Sequence, residues 1–124
     1  LDARGTVRWS LGLGATGRAL PRHLGLDAAG NVLLAGNFRE VDTLEGFDPF
    51  YGRGVDMYWA LYDASGRAVA ARTFGGPADD TVSSVATLPC GGFVLGGAFQ
   101  QTADLGGTTV TAARTDGFVA WWAQ

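Results

Sequence analysis

Apolar residues along the chain fall into short runs closed by glycine, proline or aspartate, and the runs are of two kinds. Thr6 to Leu11 and Arg67 to Arg72 interleave polar and apolar residues, the period of a strand with one wet face. Val32 to Phe38 and Phe93 to Phe99 are apolar almost throughout, as strands covered on both faces are. Ala19 to Leu26, Asp56 to Tyr62, Asp80 to Thr87 and Asp116 to Trp122 complete a set of short strands, and the 20 glycines sit at their ends, where turns are needed. The pattern predicts an all-β fold.

The pattern also repeats. Leu1 to Phe38 aligns without gaps on Tyr62 to Phe99 at an offset of 61, with identity at eight of 38 pairs: Asp2, Ala3, Gly5, Gly14, Gly30, Leu34, Gly36 and Phe38. Four are glycines, which mark backbone positions needing positive φ or close approach. Asp56 to Tyr62 matches Asp116 to Trp122 at an offset of 60, so the connection between them is one residue shorter in the second copy. The copies diverge only there, between Arg39 to Val55 and Gln100 to Thr115. A unit of about 60 residues with four short strands is the size of a β-propeller blade.

Lettering strands from inner A to outer D, the chain is expected to run D-ABCD-ABC, two permuted four-stranded antiparallel blades in one repeat domain. The outer strand falls in 1–13, one blade in 14–74, and a second blade lacking its outer strand in 75–124. Two blades cannot close a ring that needs at least about four. The expected partners are therefore further blades of a longer chain or other copies of this one in head-to-tail contact. Trp121 and Trp122 are adjacent, so a strand points them to opposite faces, and covering both requires a blade on each side. Trp9 and Trp59 are read as packing residues too.

Four motifs carry a resemblance: Asp27 to Phe38, Asp116 to Ala120, Asp63 to Gly66 and Phe74 to Asp80. Together they resemble the bacterial β-propeller repeats of the SBBP and delta-60 kind, of myxobacterial type. The resemblance covers practically the whole chain and implies a secreted or cell-surface protein of several blades. The chain departs from it at Trp121, where a lysine usually follows Phe-Val-Ala, and in the long aromatic connection of the first copy.

Composition narrows the function. A chain of 124 residues, 47% apolar and 17% charged, can bury a core. A net charge of −3 without a basic block argues against nucleic acid or an anionic membrane as partner, and no stretch has the apolar length of a membrane span. The single cysteine, Cys90, has no internal disulfide partner. Gly12 to Gly17 spells G-x-G-x-x-G, but a phosphate-binding version must open a helix, whereas Pro21 follows and the second copy replaces the motif with a loop. With one histidine, only a set such as Ser10, His23 and Asp27 is conceivable as a triad, and no nucleophile elbow accompanies it. Asp79 and Asp80, with Asp56 and Asp116, are read as turn residues bonding neighbouring amides rather than as ligands of a hard metal, and one His with one Cys cannot fill a zinc site.

No enzyme activity, metal or cofactor is expected. The candidate ligand-binding residues are Phe47, Asp48, Phe50, Tyr51 and Arg53, a polar-aromatic cluster expected in a loop, where a rigid scaffold carries recognition. The alternative for these rings is that they fold back over a strand edge. The expected function is non-enzymatic binding of a protein or glycan partner at the cell surface or outside the cell. A structural component of an assembly or fibre formed by strand exchange between copies is the alternative.

Overall fold

The structure, a computed structural model, describes residues 3–10, 20–42, 47, 50–76, 78–89, 91–105 and 108–122. Among the described residues there are seven strands: β1 (Leu20–Leu26), β2 (Val32–Asp42), β3 (Phe50–Tyr62), β4 (Ala68–Phe74), β5 (Thr81–Thr87), β6 (Phe93–Asp104) and β7 (Thr109–Trp122). They form two antiparallel meanders, β1-β2-β3-β4 and β5-β6-β7. The fold is all-β, as the alternating and continuous apolar runs predict, and the repeat divides it into one sheet per copy.

Three hairpins share one turn. In each, the first residue donates its amide to the fifth residue's carbonyl and accepts from the fourth residue's amide. This holds for Asp27 to Asn31, Asp63 to Arg67 and Leu88 to Gly92, at 2.9–3.1 Å. Such three-residue loops need a left-handed residue before the second strand, and Gly30, Gly66 and Gly91 supply it at φ 84°, 86° and 93°. Asp27 and Asp63 reinforce the turn by accepting amides two and four residues on, at 2.8–3.0 Å.

The sheets also share their irregularities. The ladder slips between Pro21 and His23 in the first sheet and between Val82 and Ser84 in the second, an offset of 61 in each case. It slips again between Arg39 and Val41, and at the matching place between Gln100 and Thr102, where Gln101 takes φ 58°. Bulges re-aim a strand and are features of a fold rather than accidents, so their recurrence makes the two sheets copies in backbone as well as sequence.

Two expectations need correction. Arg39 to Val55 is not a loop: β2 continues to Asp42 and β3 begins at Phe50, pairing Val41 with Tyr51 and Asp42 with Phe50 beyond the bulge. The bulge shifts the period of two by one residue, which hides this continuation from a simple alternation count. Thr6 to Leu11 is also not seen as a strand. Residues 5–10 join neither sheet, and Leu11 lies outside the described residues. The matching outer strand, β4, has β3 to pair with, whereas residues 6–10 meet no sheet edge.

The core forms because β2 and β3 are apolar on both faces. On one face, Leu33, Ala35, Met57, Trp59, Leu61 and Phe74 pack against Val82, Phe93, Leu95, Phe99 and Phe118 of the second sheet. Aromatic pairs stitch the sheets together: Trp59 with Phe93 at 4.8 Å and with Trp122 at 6.3 Å, and Phe74 with Trp122 at 5.2 Å. On the other face of the first sheet, Leu34, Phe38, Tyr58, Ala60 and Tyr62 form a second buried cluster under Trp9 and Phe47.

The sense of this stacking follows from the repeat. Phe93, Leu95, Phe118 and Trp122 face the first sheet, and their counterparts one copy earlier are Val32, Leu34, Tyr58 and Tyr62, on that sheet's opposite face. The sheets therefore stack front to back, like successive units of a series, and not back to back.

Candidate functional site

The candidate ligand-binding residues divide between two settings. Phe47 folds back onto the first sheet, its ring edge-on to Tyr62 with centroids 5.5 Å apart. Phe50, Tyr51 and Arg53 stand on the bulged end of the β2–β3 hairpin. Asp48 lies outside the described residues. The corresponding hairpin of the second copy has the same register, with Val110, Thr111 and Ala113 in place of Phe50, Tyr51 and Arg53. One backbone register thus carries Phe, Tyr and Arg in one copy and Val, Thr and Ala in the other.

Asp79 and Asp80 act on backbone amides. Asp80 is fully buried, and its carboxylate accepts from Gly76 at 2.8 Å and from Gln100 at 3.1 Å. Its own amide donates to Val55 at 2.9 Å, and its carbonyl accepts from the Asn37 side chain at 2.7 Å. One residue thereby ties β2, β3, the β4–β5 link and β6 together. Asp79 accepts from the Val55 amide at 3.1 Å, and Gly75 exchanges two backbone bonds with Asp104 at 2.8 and 2.9 Å. Burial pushes the Asp80 carboxyl above its ordinary value, against the two amides that favour its charge, and neighbouring Asp79 adds to the rise. These are the turn roles read from the sequence, extended across two sheets. Among the described residues, no group of three or more His, Cys, Asp or Glu is placed to hold a metal ion.

The conceivable Ser10, His23 and Asp27 set is not assembled as a triad. The Asp27 carboxylate is committed to its own turn, accepting from the amides of Ala29 and Asn31 and from the Asn31 side chain at 2.8–2.9 Å. Those bonds hold its pKa below the ordinary value, and Asp63 is lowered in the same way, its Ser65 side-chain bond acting most. The G-x-G-x-x-G stretch and Cys90 lie outside the described residues.

The sequence reading missed a cleft of about 500 Å³ on the second face of the first sheet. Its walls are Trp9, Leu24, Val32, Leu34 and Tyr62, with Pro21, Arg22 and His23 at β1. Trp9 is fixed over it by an indole N–H bond to the Ala64 carbonyl at 3.1 Å and by contact with Tyr62, centroids 6.4 Å apart. The apolar alternation of β1 could have revealed this cleft, because Leu24 and Leu26 alternate with polar neighbours yet stand in the half of the repeat that buries apolar residues.

At the far end of the chain, β7 presents Val119 and Trp121 to solvent, 78% and 69% exposed, while their repeat counterparts Trp59 and Leu61 are 6% and 8% exposed beneath the second sheet. Trp122 points the other way, into the core between the sheets. The expectation that adjacent tryptophans occupy opposite faces holds, whereas the reading of Trp121 as a packing residue does not: among the described residues no second sheet covers its face.

No protein-family model and no curated protein matches the chain.

Proposed function

We propose that each sheet is a blade of a β-propeller-type repeat, as the resemblance to bacterial repeat proteins implies, and that the chain is a non-enzymatic module binding a protein or glycan partner outside the cell. The observation that supports the binding role best is the β2–β3 hairpin. Register and bulge are shared with its copy, while Phe50, Tyr51 and Arg53 replace Val110, Thr111 and Ala113. A constant scaffold with a variable decorated end is how a repeat acquires recognition without giving up stability. Aromatic rings with an adjacent guanidinium suit the faces of sugar rings or the aromatic and acidic side chains of a peptide.

Phe47 is assigned to packing rather than to recognition, since its ring lies edge-on against Tyr62. A glycan array and a peptide library probed with the wild-type chain, Phe50→Ala and Tyr51→Ala test the proposal. Ligand loss at unchanged melting temperature supports recognition. A fall in melting temperature in those variants, with no ligand for the wild type, assigns the rings to packing.

A further inference from the structure

We infer that copies of this chain stack head to tail, the Val119 and Trp121 face of one copy seating in the cleft between Trp9 and Leu24 of the next. The inference rests on reading the two sheets as successive blades, and it names the partner of their open faces: a second copy of this chain. The interface inside the chain is its template. There the second sheet offers Val82, Val85, Phe93, Leu95 and Trp122, and the first sheet inserts Trp59 and Leu61 against them. One copy earlier, at offsets of 61 and 60, those five residues are Pro21, Leu24, Val32, Leu34 and Tyr62. All five line the cleft. The residues that would fill it correspond to Trp59 and Leu61 and are Val119 and Trp121, which the chain leaves in solvent. Both halves of one interface are thus displayed, one at each end of the molecule.

Residues 5–10 fit the same scheme. Trp9 corresponds to Ala70 of β4, which packs into the core between the sheets, and Trp9 already lies on Tyr62, the counterpart of Trp122. The segment therefore sits on the first sheet as β4 sits on the second, without a sheet of its own. Among the described residues no strand pairs with the outer edge of β7, where β3 has β4. In the stack, residues 6–10 of the receiving copy lie beside that edge of the donor, supplying the fourth strand. Such a heterologous contact either closes into a ring or grows.

Sedimentation velocity over a concentration series tests this with two surface variants that leave the core untouched, Trp121→Glu and Leu24→Arg. Leu24 is 70% exposed in the isolated chain. The wild type is expected to rise above 12.9 kDa with concentration. Each variant places an unpaired charge in the contact and should weaken association by at least about tenfold. Mixed together, they should form a one-to-one dimer and nothing larger, because each retains the face that the other has lost. A wild type that stays monomeric throughout, a variant that associates like the wild type, or a mixture that stays monomeric overturns the stacking. Melting of Trp59→Ala separates this outcome from failure of the blade reading: a monomeric wild type with a strongly destabilised Trp59→Ala loses only the self-association, whereas a Trp59→Ala that melts like the wild type removes the packed blade pair itself.

Discussion

Replacing Asp80 with alanine removes the acceptor of two amides and nothing from the apolar core. Gly76 and Gln100 donate to its carboxylate at 2.8 and 3.1 Å inside a site from which Asp80 is fully screened. A buried amide left without a partner costs about 1 to 3 kcal/mol, so the two together cost about 2 to 6 kcal/mol. Part is offset because the variant no longer buries a carboxylate, the cost visible in the upward pKa shift. The net loss expected is about 3 kcal/mol. Equilibrium urea unfolding followed by tryptophan fluorescence should show the midpoint falling by roughly 1 to 2 M at unchanged slope.

Asp80→Asn keeps one acceptor oxygen and turns an NH₂ toward the other amide, so its loss should lie between wild type and alanine. Its pH dependence gives a second reading. The folded carboxyl holds its proton above the unfolded value of 3.8, so between that value and the raised folded one the folded state binds more protons, and stability falls as pH rises. Asp80→Asn should abolish that limb. A loss below about 1 kcal/mol for Asp80→Ala would refute the tie between the sheets.

The remaining predictions concern packing and turns. Trp59→Ala should cost about 3 to 5 kcal/mol. Trp59→Phe should cost well under half as much in thermal unfolding, because the Trp59 indole N–H is buried without a hydrogen-bond partner and phenylalanine has none to satisfy. Gly97→Ala places a methyl 2.1 Å from the Thr81 carbonyl and 2.8 Å from the Phe118 ring, and should destabilise by about 2 to 3 kcal/mol in urea unfolding. Gly117→Ala, whose methyl meets only the Gly97 carbonyl at 3.6 Å, should be neutral within about 0.5 kcal/mol. Asp27 and Asp63, both lowered by turn hydrogen bonds, contribute stability that is present above 3.8 and lost as pH falls toward their folded values. The double variant Asp27→Ala, Asp63→Ala should flatten the acid side of a melting-temperature profile.

The turns and the buried runs were legible in the sequence because their causes are local. Gly30 and Gly66 need only a left-handed position, and Leu34 and Phe38 recur as Leu95 and Phe99 because both copies bury them. The bulges left no such trace: Gln101 takes a positive φ that nothing in its type foretells, and the matching slip in the first sheet, between Arg39 and Val41, disguised Phe50 to Val55 as a loop. Asp80 was readable as a turn residue, but its bond to Gln100 spans 20 positions and depends on how two sheets meet. The cleft was legible only on its β1 side, at Leu24, since Trp9 and Leu24 become neighbours only when residues 5–10 fold over Tyr62. Thr6 to Leu11 has the period of a strand, yet period alone supplies no partner edge.

The second sheet stacks front to back on the first, repeating the same faces along a series. Nuclear Overhauser effects from the Trp59 indole ring test it most directly. Contacts are expected from Trp59 to the rings of Phe93 and Trp122, which lie 4.8 and 6.3 Å away, and none to Trp121. Contacts from Trp59 to Val119 and Trp121 would mean the second sheet is turned over, and would contradict it.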